Sequence, residues 1–432
     1  MTFPTTKLKW VATTLAGGTP SVAEPSFWSD DDDGGLPWVS IGDMSGRARV
    51  TTTGRRVTEA GISAARLPVG APGTLLLSMY ASLGHTAFLT TQASWNQAIL
   101  GIDVSSSHDV RFVKYALDAI KPTLTEFARS NTQANLNAEQ VGNLVLPDPP
   151  LSTQRRIADF LDAETALIDR VGKAREAQVA LLSLMLDQLI DGATAGDAET
   201  LKKLGVDSDS ADWGLGKVSR LCQVIPGYAF PSEGFLHNGG TRLLRGINVS
   251  AGETSWEETV SWDEEKNPTP QRFHLRDGDL VIGMDRPWIS SGMRMTFISE
   301  RDLPALLLQR VACLRPKSAE VDMGYVYWSL RSSRFRQAVE GELTGVSVPH
   351  LSGDQIGGFA FLLPPLSTQR DISDRLSAYS ARIRRLRSTM NRQAELLNER
   401  RQALITAAVT GQFDVTTASG RNVTEGTEGV TA

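Results

Sequence analysis

The feature that most constrains this chain is a seven-residue sequence, Pro-Pro-Leu-Ser-Thr-Gln-Arg, that occurs twice. It occupies residues 149–155 and returns at residues 364–370, a shift of 215 positions (149 to 364) in a chain of 432. Matching apolar residues follow each copy at the same shift. The chain is therefore expected to contain one large module twice, which indicates a molecule with pseudo-twofold symmetry.

A long helix is predicted after each copy of the repeated sequence. Apolar residues recur there in alternate steps of four and three positions, no proline interrupts them, and a glycine, Gly192 or Gly411, marks each end. This spacing is a heptad seam, and a helix of about 40 residues is about 60 Å long. Two imperfect seams are buried most simply against each other, and the globule between the helices allows an antiparallel arrangement. The predicted seam residues are Ile157, Leu161, Ile168, Val171, Leu182, Leu189, Ile372, Leu376, Ile383, Leu386, Leu397 and Leu404.

Two diverged globules precede the two helices. Both contain short apolar runs bounded by glycine, proline and aspartate, which predict strands, and each has one later helix, near residues 112–117 and 325–330. Each closes with a capping box, because Asn137 is followed three positions later by a glutamine, as is Ser352. The predicted segments are a first globule, a first helix, a linker, a second globule, a second helix and a disordered tail, at residues 1–150, 151–196, 197–212, 213–365, 366–412 and 413–432. The expected fold class is α+β, with two tandem mixed α/β domains separated by two long helices that pack as an antiparallel coiled coil.

The composition constrains the expected cellular location of the protein more than its function. Two cysteines, Cys222 and Cys313, give neither a disulfide framework nor metal-ligand spacing. No apolar run approaches the roughly 18 residues that would span a membrane, and the first residues lack the pattern of a signal peptide, so a cytoplasmic location is expected. The net charge of −5 argues mildly against nucleic acid. Exposed arginines on the second helix, including Arg384, Arg385 and Arg387, are nevertheless compatible with a locally basic face, or with partner docking or simple solubility.

The duplicated Pro-Pro-Leu-x-x-Gln-Arg sequence, each time between a diverged globule and a long heptad helix, resembles the specificity (S) subunit of type I restriction-modification enzymes. The sequence of residues 404–414, Leu-Ile-Thr-Ala-Ala-Val-Thr-Gly-Gln-Phe-Asp, is similar to the motif that closes the second helix in that family. The resemblance covers residues 1–414. The first copy departs from the second in reading Pro147-Asp148 before the two prolines, where the second has Leu362-Leu363. The end of the first helix and the linker that follows it are therefore expected to differ from those of the second copy.

The resemblance implies a non-catalytic reader of double-stranded DNA. The two globules would be target recognition domains, each reading one half of a split, asymmetric DNA sequence, and the helices would fix the spacing between them. The helices would also dock two methyltransferase (M) subunits, and motor-nuclease (R) subunits would complete the restriction enzyme. S-adenosylmethionine, ATP and Mg²⁺ are then expected on the partner subunits, with no cofactor or metal on this chain and no membrane partner.

The sequence offers no convincing active site. Asp148-Pro149-Pro150-Leu151 resembles the base-gripping motif of amino-methyltransferases but lacks its aromatic fourth residue, so a structural turn before the helix is predicted instead. Gly216-Lys217 lacks the rest of a phosphate loop. The five histidines stand singly: His85, His108, His237, His274 and His350. A coiled-coil scaffold or adaptor whose globules bind protein is the alternative, and a stand-alone methyltransferase or nuclease is disfavoured by the missing motifs.

Candidates for DNA contact are loop residues whose side chains suit base edges or phosphates. In the first globule these are Arg47, Arg49, Arg55, Arg56, Tyr80, Ser82 and His85, and in the second Arg242, Arg245, Arg286, Trp288, Arg294 and Arg310. The loops that hold Tyr80 and Arg286 follow comparable strands, which predicts that both face the groove. Gln97 and Gln309 occupy matching positions in predicted strands, where a structural role is expected.

Overall fold

The computed structural model describes residues 3–29, 34–80, 83–130, 135–289, 292–343 and 350–415. The chain divides into two compact units, the first formed by Met1–Arg175 with Asn391–Ala432 and the second by Glu176–Met390. Each long helix contributes residues to both units. Among the described residues, no single helix has the length and apolar character needed to cross a membrane.

The strands are short and the two terminal helices of the repeats are long. The strands before the first long helix are β1 (Thr5–Lys7), β2 (Ala12–Ala16), β3 (Trp28–Ser29), β4 (Leu36–Val39), β5 (Arg49–Val50), β6 (Arg55–Val57), β7 (Leu75–Ser78), β8 (Thr86–Leu89), β9 (Ser94–Trp95), β10 (Ile99–Val104) and β11 (Val145–Pro147). Those after it are β12 (Gly214–Lys217), β13 (Cys222–Pro226), β14 (Thr241–Leu244), β15 (Ser261–Trp262), β16 (Leu280–Gly283), β17 (Trp288–Ile289), β18 (Gly292–Met293), β19 (Met295–Phe297), β20 (Ala305–Leu307), β21 (Val311–Pro316) and β22 (Ala360–Leu363). The helices are α1 (Leu8–Val11), α2 (Ile41–Met44), α3 (Glu59–Ala65), α4 (Val110–Ser130), α5 (Ala138–Gly142), α6 (Leu151–Thr194), α7 (Ala198–Leu204), α8 (Val218–Leu221), α9 (Met323–Arg331), α10 (Ser333–Leu343), α11 (Gly353–Gly358) and α12 (Leu366–Thr410).

The first unit is built on a five-stranded sheet in the order β2-β10-β7-β8-β5. Its pairs are antiparallel except β5 with β8. A four-stranded sheet, β3-β6-β4-β9, and a ribbon of β1 with β11 complete the β-structure. The central strand β7 is almost entirely apolar because both of its faces are covered: Leu75, Leu76 and Leu77 are all fully buried.

The second unit repeats this plan. Its central sheet has the order β13-β21-β16-β19, its smaller sheet the order β15-β14-β20, and β12 pairs with β22 as β1 does with β11. The register corresponds strand by strand, since Leu75 pairs with Phe88 as Leu280 pairs with Phe297. The predicted α+β class with two tandem copies of one mixed domain is therefore confirmed.

The two long helices pack in opposite directions within each unit. In the first unit, residues near the start of α6 (Ile157, Leu161) share a buried cluster with Ile405 and Val409 near the end of α12. In the second unit, Leu186, Ile190 and Ala193 near the end of α6 share a cluster with Ile372, Leu376 and Ile383 near the start of α12. The predicted antiparallel coiled coil is confirmed.

The buried stripe departs from a strict heptad toward the far end of α6. Leu186 and Ile190 are buried there, whereas the predicted Leu182 and Leu189 are only half-buried. On α12, Leu386 is 40% exposed, contrary to its predicted place in the seam. The reason is that an α-helix with 3.6 residues per turn drifts by about 20° per heptad relative to a 3.5-residue repeat. Of the other predicted positions, Ile168 is buried, and Val171, Leu397 and Leu404 are half-buried.

Of the residues predicted to mark helix ends, the two capping boxes and Gly411 do so, but Gly192 does not. Both capping boxes form, with the side chain of Asn137 or Ser352 accepting from the backbone three residues on. Gly411 follows the end of α12 in a left-handed conformation. Gly192, in contrast, lies inside α6, where a Cβ would sit 2.2 Å from the Thr200 hydroxyl oxygen of α7, so this glycine permits close packing. The segment 197–212, predicted as a linker, contains α7. Of the predicted tail, residues 416–432 lie outside the described part of the chain.

Candidate nucleic-acid interface

The glutamine of the repeated sequence joins each globule to the helix that follows it. Gln154 is 1% exposed, its Oε1 accepts the backbone N–H of Asp109 at 2.9 Å, and its Nε2 donates to the carbonyl of Pro149 at 2.9 Å. Gln369 makes the same pair of bonds, to the N–H of Asp322 and the carbonyl of Pro364, both at 2.9 Å. The repeated sequence thus has a structural role at the base of each domain.

Asp148, ahead of the first two prolines, is also engaged structurally. Its Oδ1 lies 3.0 Å from Nε2 of His108, a neighbouring side chain of the same unit. A carboxylate held in this way does not resemble a base-gripping group. Among the described residues, no group of three or more histidine, cysteine, aspartate or glutamate side chains could hold a metal ion.

At one edge of each central sheet, three chain segments meet through the same backbone hydrogen bonds. In the first unit, the N–H of Met79 donates to the carbonyl of Ala98 at 2.8 Å, and the carbonyl of Met79 accepts from Leu136 at 3.1 Å. In the second unit, Met284 makes both bonds, with Arg310 at 2.8 Å and Leu351 at 2.8 Å. Beside them, Ser78 bonds to the carbonyl of His85 as Gly283 bonds to that of Arg294. We call these two regions the reading edges of the two units.

The reading edge of the second unit is organised around Asp285. Its Oδ2 accepts from Nη1 of Arg310 at 2.6 Å, and its Oδ1 lies 2.7 Å from Nδ1 of His350. Partial burial by itself would raise the pKa of Asp285, but the hydrogen bonds from Arg310 and His350 outweigh this effect and lower it. Asp285 is therefore a fixed anion that orients a cationic side chain toward solvent.

Two arginines at this edge have a left-handed backbone. Among the described residues, the non-glycine residues with positive φ are Arg66, which ends α3, together with Arg286 at 44° and Arg310 at 68°. A left-handed conformation costs a non-glycine residue about 1–2 kcal/mol, and such strain concentrates at functional sites. Both side chains are exposed, that of Arg310 by 67%.

Arg294 and Trp288 lie on the same hairpin but are less accessible. Nε of Arg294 is buried and has no hydrogen-bond partner among the described residues. The ring of Trp288 packs against the core, with its centroid 6.3 Å from that of the Phe335 ring. The guanidinium carbon of Arg336 lies over the Trp288 ring, 5.6 Å from its centroid. Trp288 therefore supports the hairpin more than it presents a surface.

The first unit presents different side chains at its reading edge. Tyr80 is 36% exposed, and Asn135 is exposed beside the matching backbone bond. His85 instead turns back into the protein, with Nε2 2.8 Å from the carbonyl of Met44 and 3.1 Å from that of Arg47. Arg47 itself is exposed, as is Arg49 on β5. Ser82 lies outside the described residues.

Four further predicted arginines lie elsewhere, and three of them contact neighbouring groups of the protein. Arg55 stacks on Trp28 at 5.4 Å, and Arg56 donates from Nε to the carbonyl of Gly35 at 3.0 Å. Arg242 lies 4.4 Å from the ring of Trp256 and donates to two backbone carbonyls. Arg245, half-buried, begins a short 3₁₀ turn. The structure thus brings together Arg286, Arg294 and Arg310. It places Arg242 on β14 of the smaller sheet and Arg245 directly after that strand.

Gln97 and Gln309 are not in strands, contrary to the prediction. Both are exposed in the turn that precedes β10 or β21, immediately beside the reading edge. Gln97 accepts from the hydroxyl of Thr19. The prediction was wrong because the strands begin at Ile99 and Val311, two residues after the glutamines.

Sequence reasoning missed Asp285, His350, Asn135 and Ala98. Asp285 adjoins a predicted candidate, Arg286, but an aspartate after a strand reads as an ordinary turn residue. His350 is 65 positions from Asp285 in the chain, so only folding places them together. No local signal could have found the pair.

Comparisons with known proteins agree with the fold. Residues 5–179 match the family described as "Type I restriction modification DNA specificity domain". The chain is 26% identical over 275 residues to the type I restriction enzyme MjaVIII specificity subunit of Methanocaldococcus jannaschii, covering 63% of each. It is 34% identical over 165 residues to the EcoAI specificity subunit of Escherichia coli, covering 38% of this chain and 28% of the relative. These two alignments therefore span less than two thirds of either relative.

A solved structure shares the fold over almost the whole chain. It is described as "Structural basis underlying complex assembly and conformational transition of the type I R-M system", with a TM-score of 0.70 at 17% identity, and the match covers 95% of this chain and 98% of that one. At this low sequence identity the match shows the fold alone, which is that of a tandem-domain protein with two long helices. Residues 5–179 thus match the type I specificity domain, and the chain is similar to type I restriction enzyme specificity subunits.

Proposed function

We propose that the protein is the sequence-specific DNA-recognition subunit of a type I restriction-modification complex, in which each unit reads one half of a bipartite, asymmetric DNA site. The observation that carries this proposal is that one fold occurs twice. The two reading edges share the same backbone hydrogen bonds but expose different side chains. A partner read by such a molecule has two halves of the same kind that differ in detail. Double-stranded DNA with a split recognition sequence has this property.

The chain would act without catalysing a reaction itself. Two methyltransferase subunits, which would supply S-adenosylmethionine, and motor-nuclease subunits, which would supply ATP and Mg²⁺ chemistry, are the proposed partners, and the cytoplasm is the proposed location. Leu181 and Leu396, one repeat apart, are 56% and 46% exposed on their helices. Large apolar side chains exposed at equivalent positions of both repeats suit two copies of the same partner.

The test is modified-base sequencing of genomic DNA from cells that contain the chain and its methyltransferase, compared with cells from which the chain is deleted. We expect N6-methyladenine at one split motif, and its loss in the deletion strain. Methylation that is unchanged by the deletion would contradict the proposal and would favour an adaptor. Methyl transfer to DNA by the purified chain alone, with labelled S-adenosylmethionine, would contradict its non-catalytic role.

A further inference from the structure

Four pairs of equivalent positions surround the shared backbone bonds of the two reading edges. The framework residues are the same in both units: Met79 corresponds to Met284, and Leu136 to Leu351. The positions beside them differ in every pair, namely Tyr80 and Asp285, His85 and Arg294, Ala98 and Arg310, Asn135 and His350. Identical framework residues next to four dissimilar side chains indicate positions that share a location and differ in what they recognise.

The chemistry of the second unit is suited to a guanine base. Arg310 is exposed, and within the described residues only its Nη1 is engaged, by Asp285 at 2.6 Å. Asp285 is itself fixed by His350 at 2.7 Å. A guanidinium in a fixed orientation loses less side-chain freedom on binding, and its remaining N–H groups can donate in a bidentate manner to O6 and N7 of guanine in the major groove.

We infer that Arg310, held by Asp285, reads a guanine in the second half-site, and that positions 285, 294, 310 and 350 make this half-site differ from that of the first unit. The inference rests on the proposed function and adds residues and a base to it. The first unit has no arginine at the four matching positions, and the exposed amide of Asn135 suits adenine instead. The half-site of the first unit therefore does not depend on an arginine at these four positions.

The experiment is modified-base sequencing with the wild-type chain and with Arg310→Lys, Arg310→Ala and Asp285→Asn, each in complex with the methyltransferase subunits. Lysine keeps the charge but loses the planar fork. We expect the wild-type chain to give one split motif, and Arg310→Lys to lose roughly 10- to 100-fold of the preference for guanine at one position of one half. Asp285→Asn should relax the same position more weakly. The other half and the spacer length should not change.

Arg301→Ala is the matched control, because Arg301 is similarly exposed, by 74%, and its backbone carbonyl accepts from Arg242, which lies on the smaller sheet. Its motif should equal that of the wild-type chain. If the wild-type chain gives a split motif that all three reading-edge variants reproduce, the inference fails and the proposed function stands. If the wild-type chain gives no motif, both fail. Thermal unfolding of each purified complex separates misfolding from altered reading, and the lysine variant, which preserves charge and length, decides the outcome where the alanine variant does not fold.

Discussion

Two buried glutamines explain why the repeated sequence contains the residues it does. The side chains of Gln154 and Gln369 each accept a hydrogen bond from the backbone N–H of the residue before a helix, α4 or α9. Each also donates to the carbonyl of a proline that precedes a long helix, α6 or α12. The arginines that follow them, Arg155 and Arg370, are exposed. The prolines and the glutamine therefore act together: proline restricts the backbone conformation before the long helix, and glutamine holds the neighbouring helix by hydrogen bonds.

Replacing either glutamine by leucine should destabilise its own unit. Gln154→Leu leaves the N–H of Asp109 and the carbonyl of Pro149 without their side-chain partner in a buried position, which costs about 1–3 kcal/mol. Arg155→Ala, one residue away but exposed, should change stability by less than about 0.5 kcal/mol. Urea unfolding of both variants measures the difference. Equal effects would contradict the assigned role of the glutamine.

A buried aspartate gives the second unit a pH dependence. Burial by itself raises the pKa of Asp302, but hydrogen bonds from Thr254, Trp256 and Ser299 outweigh it and lower the pKa to about 2. The folded value lies below the unfolded value of about 4, so the ionised carboxylate stabilises the fold above pH 4, by on the order of 2 kcal/mol. This contribution is lost as the pH falls from about 4 toward 2.

Asp302→Asn should remove that dependence. At pH 6 the variant should be less stable by on the order of 2 kcal/mol, and the difference from the wild-type chain should shrink as the pH approaches 2. Urea unfolding at a series of pH values provides the measurement. A difference that stays constant from pH 6 to pH 2 would show that packing, not ionisation, is responsible.

At the scale of the elements, the long helices differ from an ideal coiled coil. A strict heptad places the seam near Leu182 and Leu189, whereas the packed stripe at the end of α6 runs through Leu186 and Ile190. The globule packed beside the helices also covers their ends, so the buried face there is wider than a two-helix seam. The amino-acid pattern identified the helices but not which leucines are in the core.

Two neighbouring leucines test this distinction. Leu186 is 4% exposed and Leu184 is 54% exposed on the same helix. Leu186→Ala should destabilise the second unit by about 2–5 kcal/mol because it leaves a cavity, and Leu184→Ala should cost less than about 0.5 kcal/mol. Thermal or urea unfolding compares the two. A large loss from Leu184→Ala would place the core face elsewhere.

At the scale of the whole molecule, each unit contains the first part of one long helix and the last part of the other. The first unit includes residues from position 391 onward, and Ile405, Ala408 and Val409 belong to its core. The first globule is thus continuous in space with the end of the chain, although more than 200 residues separate them in sequence. A boundary drawn at residue 150 separates the globule from its helix but cuts through one hydrophobic core.

Under the proposed function, exchanging residues 1–150 for the first globule of a type I specificity subunit should change one half of the methylated motif and leave the other half and the spacer as they were. The exchange should be tolerated best when the donor packs small and branched residues against Ile405 and Val409, because these side chains stay with the recipient. Modified-base sequencing reads both halves at once. A change in both halves would contradict independent reading by the two units.

The sequence by itself determined the duplication, the α+β class, the two long helices and the capping boxes of α5 and α11, because each is encoded locally: a repeated motif, a 3.5-residue period, and polar residues at fixed spacing. Tertiary structure alone decided which side chains form the reading edges. Asp285, Arg310 and His350 come from three separate segments of the chain. Arg242 and Arg56 cannot be distinguished from Arg310 in the sequence, but in the fold their guanidinium groups donate to backbone carbonyls. The reason is physical. Secondary structure depends on neighbouring residues along the chain, whereas the ability of an arginine side chain to bind a ligand depends on whether a carbonyl or carboxylate from a distant segment already binds its guanidinium group.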